Sequence, residues 1–181
     1  HKLKKILFIG NLSAALLAVW PFFAILLYYY QPTSIEELER HKDHFAVIIA
    51  HASFLFLLIL IRELIKDLEN LKGDLANNYH TIPVFYGESW SKRISTGLTV
   101  LTLVPVYILI ELYDVGYMDI YFYSSLIVLL FFLLLLWQSN NKTHYIRLHN
   151  ILKFLIVAGV FCIVLINPSV LWHGKNWLLK Q

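Results

Sequence analysis

Apolar residues in this chain come in five long blocks, separated by short polar connections. A helix needs about 20 mostly apolar residues to cross a hydrocarbon core of about 30 Å. The blocks at residues 6–30, 45–65, 94–113, 120–137 and 148–172 meet that length, and each predicts a transmembrane helix. The first closes on Tyr28, Tyr29 and Tyr30, an aromatic girdle of the kind that sits at headgroup level. The fourth carries no charge, whereas the fifth has Lys153 in its first turns and Asn167-Pro168 near its end. Residues 31–44 are acidic, with Glu36, Glu37 and Glu39 next to Arg40 and Lys42. Residues 66–93 form the longest and most polar connection, and 114–117 read as a tight turn around Gly116. With no internal repeat or linker, the pattern predicts one all-α integral membrane domain over residues 1–181.

Composition strengthens that picture. Apolar residues make up 59% and charged residues 15%, with mean hydropathy +0.64, whereas soluble domains carry about a quarter charged residues. Cys162 is the sole cysteine, so neither an internal disulfide nor a cysteine metal cluster can form within these residues. No basic stripe interleaved with aromatics suggests nucleic acid. The basic start at Lys2, Lys4 and Lys5 resembles a signal peptide, but the apolar block behind it is too long and lacks a small-residue cleavage site. An N-terminally incomplete chain is the expectation.

Charge sets the orientation. With the N-terminus inside, Lys2, Lys4, Lys5, Lys66, Lys72, Lys92, Arg93, Lys142 and Arg147 lie in the cytoplasm. Arg40, Lys42, Lys175 and Lys180 then lie outside, and nine against four favours this arrangement. Residues 66–93 are therefore expected on the cytoplasmic face of a multi-pass protein, with the bacterial inner membrane as its setting.

Beyond the second block the helical pattern carries on through residues 61–74. Glu63, Asp67, Asn70 and Asp74 recur at i, i+4, i+7 and i+11, along one helix face. Arg62 and Lys66 form an adjacent stripe, and Leu64, Leu68 and Leu71 supply an apolar side. A solvated helix end laced with i,i+4 ion pairs would account for such spacing. However, Arg62 and Glu63 fall at the membrane boundary, where charges are costly and usually face a cavity. Three carboxylates on one stripe also repel one another unless a cation or several donors satisfy them. Grouped oxygen ligands suit Mg²⁺ bridging to substrate phosphates, and Arg62 and Lys66 suit diphosphate oxygens. Gly73, Asn77, Asn78 and Pro83 then predict a loop able to close over a site.

Residues 62–74, followed by Thr81-Ile82-Pro83-Val84 and Gly87, resemble the second Asp-rich motif of the UbiA-type intramembrane prenyltransferases. The opening Leu3-Lys4-Lys5 through Gly10-Asn11 is similar to the start of that family's fifth helix, and the last block, with Lys153 and Gly159, to its ninth. The resemblance implies that the five helices correspond to helices five to nine of a nine-helix bundle. A first Asp-rich motif of the N-D-x-x-D type is not found in these residues. What the resemblance implies is transfer of a polyprenyl group from its diphosphate to an acceptor, with Mg²⁺ gripping the diphosphate. It assigns the metal to Asp67, Asn70 and Asp74 and catalytic roles to Asp67, Asp74, Arg62 and Lys66. Arg62, Lys66, Glu63 and Lys4 would contact substrate. Asn70 departs from the family, which most often has Asp there; it keeps a carbonyl ligand and loses a charge. With half of the metal site missing, these residues alone are expected to be inactive.

Two other functions compete. A transporter or channel would place polar residues deep within several helices, whereas here they cluster at one face. A CDP-alcohol phosphotransferase needs a D-G-x-x-A-R string that the chain lacks. Residue order does not give the acceptor. The resembled superfamily acts on aromatic quinone precursors, chlorin alcohols, haem and glycerol phosphates, and an aromatic or glycerol-phosphate type is expected. The R-E-x-x-K-D form most resembles the geranylgeranylglycerol-phosphate geranylgeranyltransferases. His41, His44, His51, His144 and His149 read as buried, interfacial or solvated histidines rather than ligands, and Ser124 and Ser125 as helix-packing hydroxyls. His80 is a candidate substrate contact because it follows the motif directly.

Overall fold

A computed structural model describes residues 9–29, 35–113 and 118–162, which among them form helices and no strand. The helices are α1 (Ile9–Tyr29), α2 (Ile35–Glu69), α3 (Leu71–Ala76), α4 (Ile82–Tyr86), α5 (Glu88–Leu101), α6 (Leu103–Tyr107), α7 (Met118–Gln138) and α8 (Lys142–Cys162). Five stretches are long and apolar enough to cross a membrane: Ile9–Tyr28, Phe45–Glu69, Glu88–Leu112, Met118–Gln138 and Lys142–Cys162. The chain is an all-α integral membrane protein.

Central to the bundle is α2, which packs against α1, α5, α6 and α8. Half of its span is buried, against 33% or less in each other span. Phe54, Leu58, Ile61, Ile65 and Leu68 recur at helical spacing and are all buried. They form one core with Phe122, Leu129, Phe132 and Leu136 of α7 and Leu148, Leu152 and Leu155 of α8. A second face of α2, at Ile59 and Leu60, meets Ala15 of α1. Among the described elements, α1 packs chiefly on α2. Its outward side chains, such as Leu17 and Leu27, are exposed as expected of a lipid-facing surface.

The connection expected as a loop at residues 66–93 is largely helical. α2 runs four residues past the predicted end at residue 65, to Glu69, and α5 starts at Glu88, ahead of the predicted residue 94. The helical pattern read through residues 61–74 is present as α2 to Glu69 and α3 from Leu71, and only α4 and the early start of α5 go beyond it, because a helix leaving the bilayer no longer needs apolar side chains. At 35 residues, α2 is about 52 Å long at 1.5 Å per residue, well beyond a hydrocarbon core of about 30 Å. Similarly, α8 begins at Lys142 rather than residue 148, with polar first turns.

The third span is interrupted. Pro105 lacks an amide donor, and its ring crowds the carbonyl four residues back, which is that of Leu101, where α5 ends. At this break Thr102 donates its hydroxyl to the Thr99 carbonyl at 2.6 Å. A π-helical turn over Ile108–Leu112 completes the span.

Where α7 meets α8, Gly159 leaves room for Tyr121. A Cβ added at Gly159 would lie 2.5 Å from the Tyr121 hydroxyl oxygen, which donates to the Leu155 carbonyl at 3.1 Å. Gly159→Ala should displace that ring and lower stability by about 1–2 kcal/mol. Thermal unfolding in detergent would reveal it, and an unchanged midpoint would mean the ring has space to yield.

Candidate active site

At the motif end of the bundle, α2 brings its polar stripe out of the core. Glu63 and Asp67 are 8% and 7% exposed, and Asp74 is 4% exposed. Asn70, between them, is half-buried. Three acids on one helical row are thus sheltered from water, where an ionised carboxylate demands partners.

Each acid solves that problem differently. Glu63 is saturated: Arg62 approaches one of its oxygens at 3.1 Å, and the Lys66 Nζ donates to the other at 2.9 Å. The two bases expected to grip diphosphate are therefore held in register by Glu63, which orients them. Asp67 accepts a hydrogen bond at 2.7 Å from the Asn11 side-chain amide on α1. Asp74, by contrast, keeps Oδ2 buried with no hydrogen-bond partner.

Local backbone explains where Asp74 sits. At Asn70 the helix loosens (φ −98°, ψ 10°), yet the Asp74 amide still donates to the Asn70 carbonyl at 2.9 Å. The short α3 thereby prolongs the row begun on α2. The Asn70 side chain donates its NH₂ to the Lys66 carbonyl at 3.0 Å, which assigns the amide orientation. Its Oδ1 is the remaining acceptor and the atom able to serve as a ligand. Tyr79 then ties the segment back by donating its amide to the Asp74 carbonyl at 2.9 Å.

Downstream, Thr81 takes an extended backbone (φ −92°, ψ 161°) as the N-cap of α4, with Pro83 in the first turn. A proline there starts a helix rather than breaking one. Gly87 joins α4 to α5 at φ 84°, ψ 168°, a conformation essentially restricted to glycine. Gly73 is different: an added Cβ would meet nothing within 4 Å, so no neighbour in the described fold requires glycine there.

A cavity of about 370 Å³ meets this row at Asn70, and its lining includes Gly73, Glu88, Asn141, Lys142 and Tyr145. On its far side the chain carries a network that the sequence does not single out. Lys92, 6% exposed, pairs with Glu88 at 3.0 Å and donates to the Ser139 carbonyl. The Tyr145 hydroxyl donates to Glu88, and the Lys92 Nζ lies 5.8 Å from the Tyr145 ring centroid. The i,i+4 spacing of Glu88 and Lys92 is legible along the chain, but their partners Tyr145 on α8 and Ser139 on the α7–α8 connection are not.

Histidines and hydroxyls divide similarly. His51 is buried between the rings of Phe22 and Phe122, at 5.7 and 5.9 Å. His149, expected to be solvated or interfacial, instead pairs its Nδ1 with Glu69 Oε2 at 3.0 Å across 80 residues of sequence. His80 is exposed, with its ring 6.1 Å from that of Phe85. Ser124 and Ser125 donate to carbonyls of their own helix rather than across to a neighbour. Lys153 is exposed instead of facing the bundle interior. Lys4 and the side chains of His41 and His44 lie outside the described residues.

The donor set accommodates a divalent cation only in part. The unpartnered Oδ2 of buried Asp74 suits one. Among the described residues, however, no group of three His, Cys, Asp or Glu side chains is assembled that could hold a metal ion. A complete site needs ligands beyond these.

A family model described as the UbiA prenyltransferase family matches residues 1–157. The digeranylgeranylglyceryl phosphate synthase of Methanopyrus kandleri is 44% identical over 64 residues, covering 31% of this chain and 24% of that protein. The protein of the same name from Methanosphaera stadtmanae is 32% identical over 69 residues, covering 37% of this chain and 25% of its own length. The matched segments thus take in about a quarter of each relative. No solved structure matches the chain.

Proposed function

This chain belongs to the UbiA prenyltransferase family, and from that premise we propose that it supplies the second Asp-rich half of an active site for Mg²⁺-dependent polyprenyl transfer within the membrane. The observation that carries the reading is Asp74, a buried carboxylate with an unpartnered oxygen on the same helical row as Asp67. A transporter reading has less support: the buried hydroxyls of Thr99, Thr102 and Ser125 are spent on carbonyls of their own span rather than lining a path.

In this reading Asp67, Asp74 and the Asn70 carbonyl oxygen hold Mg²⁺. When bound, the cation neutralises negative charge on the diphosphate leaving group. Arg62 and Lys66 bind diphosphate oxygens, oriented by Glu63, with Lys4 as a further contact. The allylic carbon–oxygen bond of the prenyl diphosphate breaks and inorganic diphosphate departs. The acceptor oxygen forms the new bond to carbon and loses its proton. The proposed acceptor is a glycerol-phosphate-type lipid alcohol rather than an aromatic ring, a choice supported by the name that the two relatives share. The active face is cytoplasmic, with the bacterial inner membrane as the expected setting. The 181 residues alone are proposed not to turn over.

The test is an enzyme carrying both Asp-rich motifs, in detergent with labelled geranylgeranyl diphosphate, Mg²⁺, and either a prenylated glycerol phosphate or an aromatic acid. Labelled product from the glycerol phosphate that disappears with a chelator is the expected result. Turnover indifferent to chelation would remove the metal role, and product only from the aromatic acid would overturn the acceptor. A second measurement addresses the departure at Asn70. Asn70→Asp adds a charge to the ligand row and should lower the Mg²⁺ concentration for half-maximal rate about tenfold, equivalent to about 1.4 kcal/mol. An unchanged requirement would mean that this side chain does not touch the metal.

A further inference from the structure

Asn11 lies in the first turn of α1, 56 residues before Asp67 and outside the Asp-rich segment. The helix around it buries only small or apolar side chains on α2, at Ala15, Val19 and Leu26. A polar residue one turn before Ala15 therefore asks for a reason, and the geometry supplies it. The Asn11 Nδ2 donates to Asp67 Oδ2 at 2.7 Å, a short charge-assisted hydrogen bond in a partly buried setting. The carboxylate can only accept, so the amide must present its NH₂.

Asparagine suits this position for two physical reasons. It donates to the ionised form of Asp67 without adding a charge that would compete with a bound cation. It also ties the carboxylate to a second helix, so that one rotamer is held before any ligand arrives. Outer partners of this sort orient a ligand, and their loss typically costs 10–100-fold in metal affinity or activity. We infer that Asn11 is a positioning residue for Asp67, setting the direction in which that carboxylate meets the divalent cation of the diphosphate. The inference rests on the metal role of Asp67 given above.

The experiment measures Mn²⁺ binding by electron paramagnetic resonance, with inorganic diphosphate present, in the enzyme carrying both Asp-rich motifs. Four proteins are compared: the parent, Asn11→Leu, Asp67→Asn and the double variant. Leucine keeps the branching of asparagine at Cγ and removes the donor, and Asn11→Ala is measured the same way if the leucine variant does not fold. Asn11→Leu should weaken Mn²⁺ about 10–100-fold, and in the Asp67→Asn background it should change nothing further. Unaltered Mn²⁺ affinity in folded Asn11→Leu would overturn the inference, as would an equal loss with and without Asp67. If the parent itself does not bind Mn²⁺, the metal reading fails and the role of Asn11 fails with it. Normal parent binding with an indifferent Asn11 variant condemns the Asn11 role alone.

Discussion

Asp74→Ala, in an enzyme carrying both Asp-rich motifs, should lower Mg²⁺-dependent turnover by roughly three orders of magnitude or more. A metal-stabilised leaving group is worth several kcal/mol, and each 1.36 kcal/mol is tenfold in rate. The expectation depends on where Asp74 is held: 4% exposed, on a short helix whose amides still bond back to α2, with Oδ2 unpartnered. Asp74→Asn separates chemistry from folding. It keeps the shape and removes an uncompensated buried charge, which is costly to the fold. Activity should fall as far as in the alanine variant while thermal stability holds or rises, a trade often met at functional sites. A stability loss in Asp74→Asn would show that the carboxylate serves the fold, and undiminished turnover in either variant would remove it from the metal site.

Lys92→Met should cost about 3 kcal/mol of stability, the low end of what breaking a buried ion pair typically costs. Lys92 is almost wholly buried and satisfies both the Glu88 carboxylate and the Ser139 carbonyl. Methionine would fill most of the volume and leave both acceptors short of a donor, with Tyr145 still turned toward Glu88. Glu88 is 35% exposed at its side chain, so water makes good part of the loss and holds the figure to the low end. Lys92→Arg retains the charge and should recover part of the stability. Thermal unfolding of the three proteins in the same detergent measures this, and an unshifted midpoint for Lys92→Met would show that the network contributes nothing net. The consequence reaches the candidate site because α5 and α4 pack together. Lys92 therefore anchors the segment that follows Asp74 to the α7–α8 connection.

Much of this is legible in residue order. Five spans follow from the bilayer's demand for long apolar helices, and the row Glu63, Asp67, Asn70, Asp74 follows from helical spacing. The loop expected at 66–93 fails on two signals. Pro83 suggests a break, but at a helix start its missing amide costs nothing, and it opens α4. The polar run at residues 88–93 suggests a connection only because hydropathy detects membrane burial, not helicity, and α5 starts there. Ser125 is buried in the bundle whereas Ser124 is exposed, and both hydroxyls donate within α7, because in an apolar span a hydroxyl's nearest acceptors are the carbonyls of its own preceding turn.

Residue order by itself determined the membrane class, the presence of five apolar spans and the acidic row with its two flanking bases, since these depend on side-chain polarity and on distances along one helix. The segment at residues 62–74 stands out on those grounds alone, and the family resemblance extends it to Gly87. Tertiary structure alone decided that Asp67 is met by Asn11 of another helix and that Asp74 is buried with one oxygen left over, whereas Glu63 is paired by Arg62 and Lys66 of its own helix. It also decided the pairing of His149 with Glu69 and the anchoring of Lys92 at Ser139. The physical reason is that a buried charge is paired by whatever donor the packing brings within about 3 Å. Partners separated by 47, 56 or 80 residues leave no periodic trace along the chain.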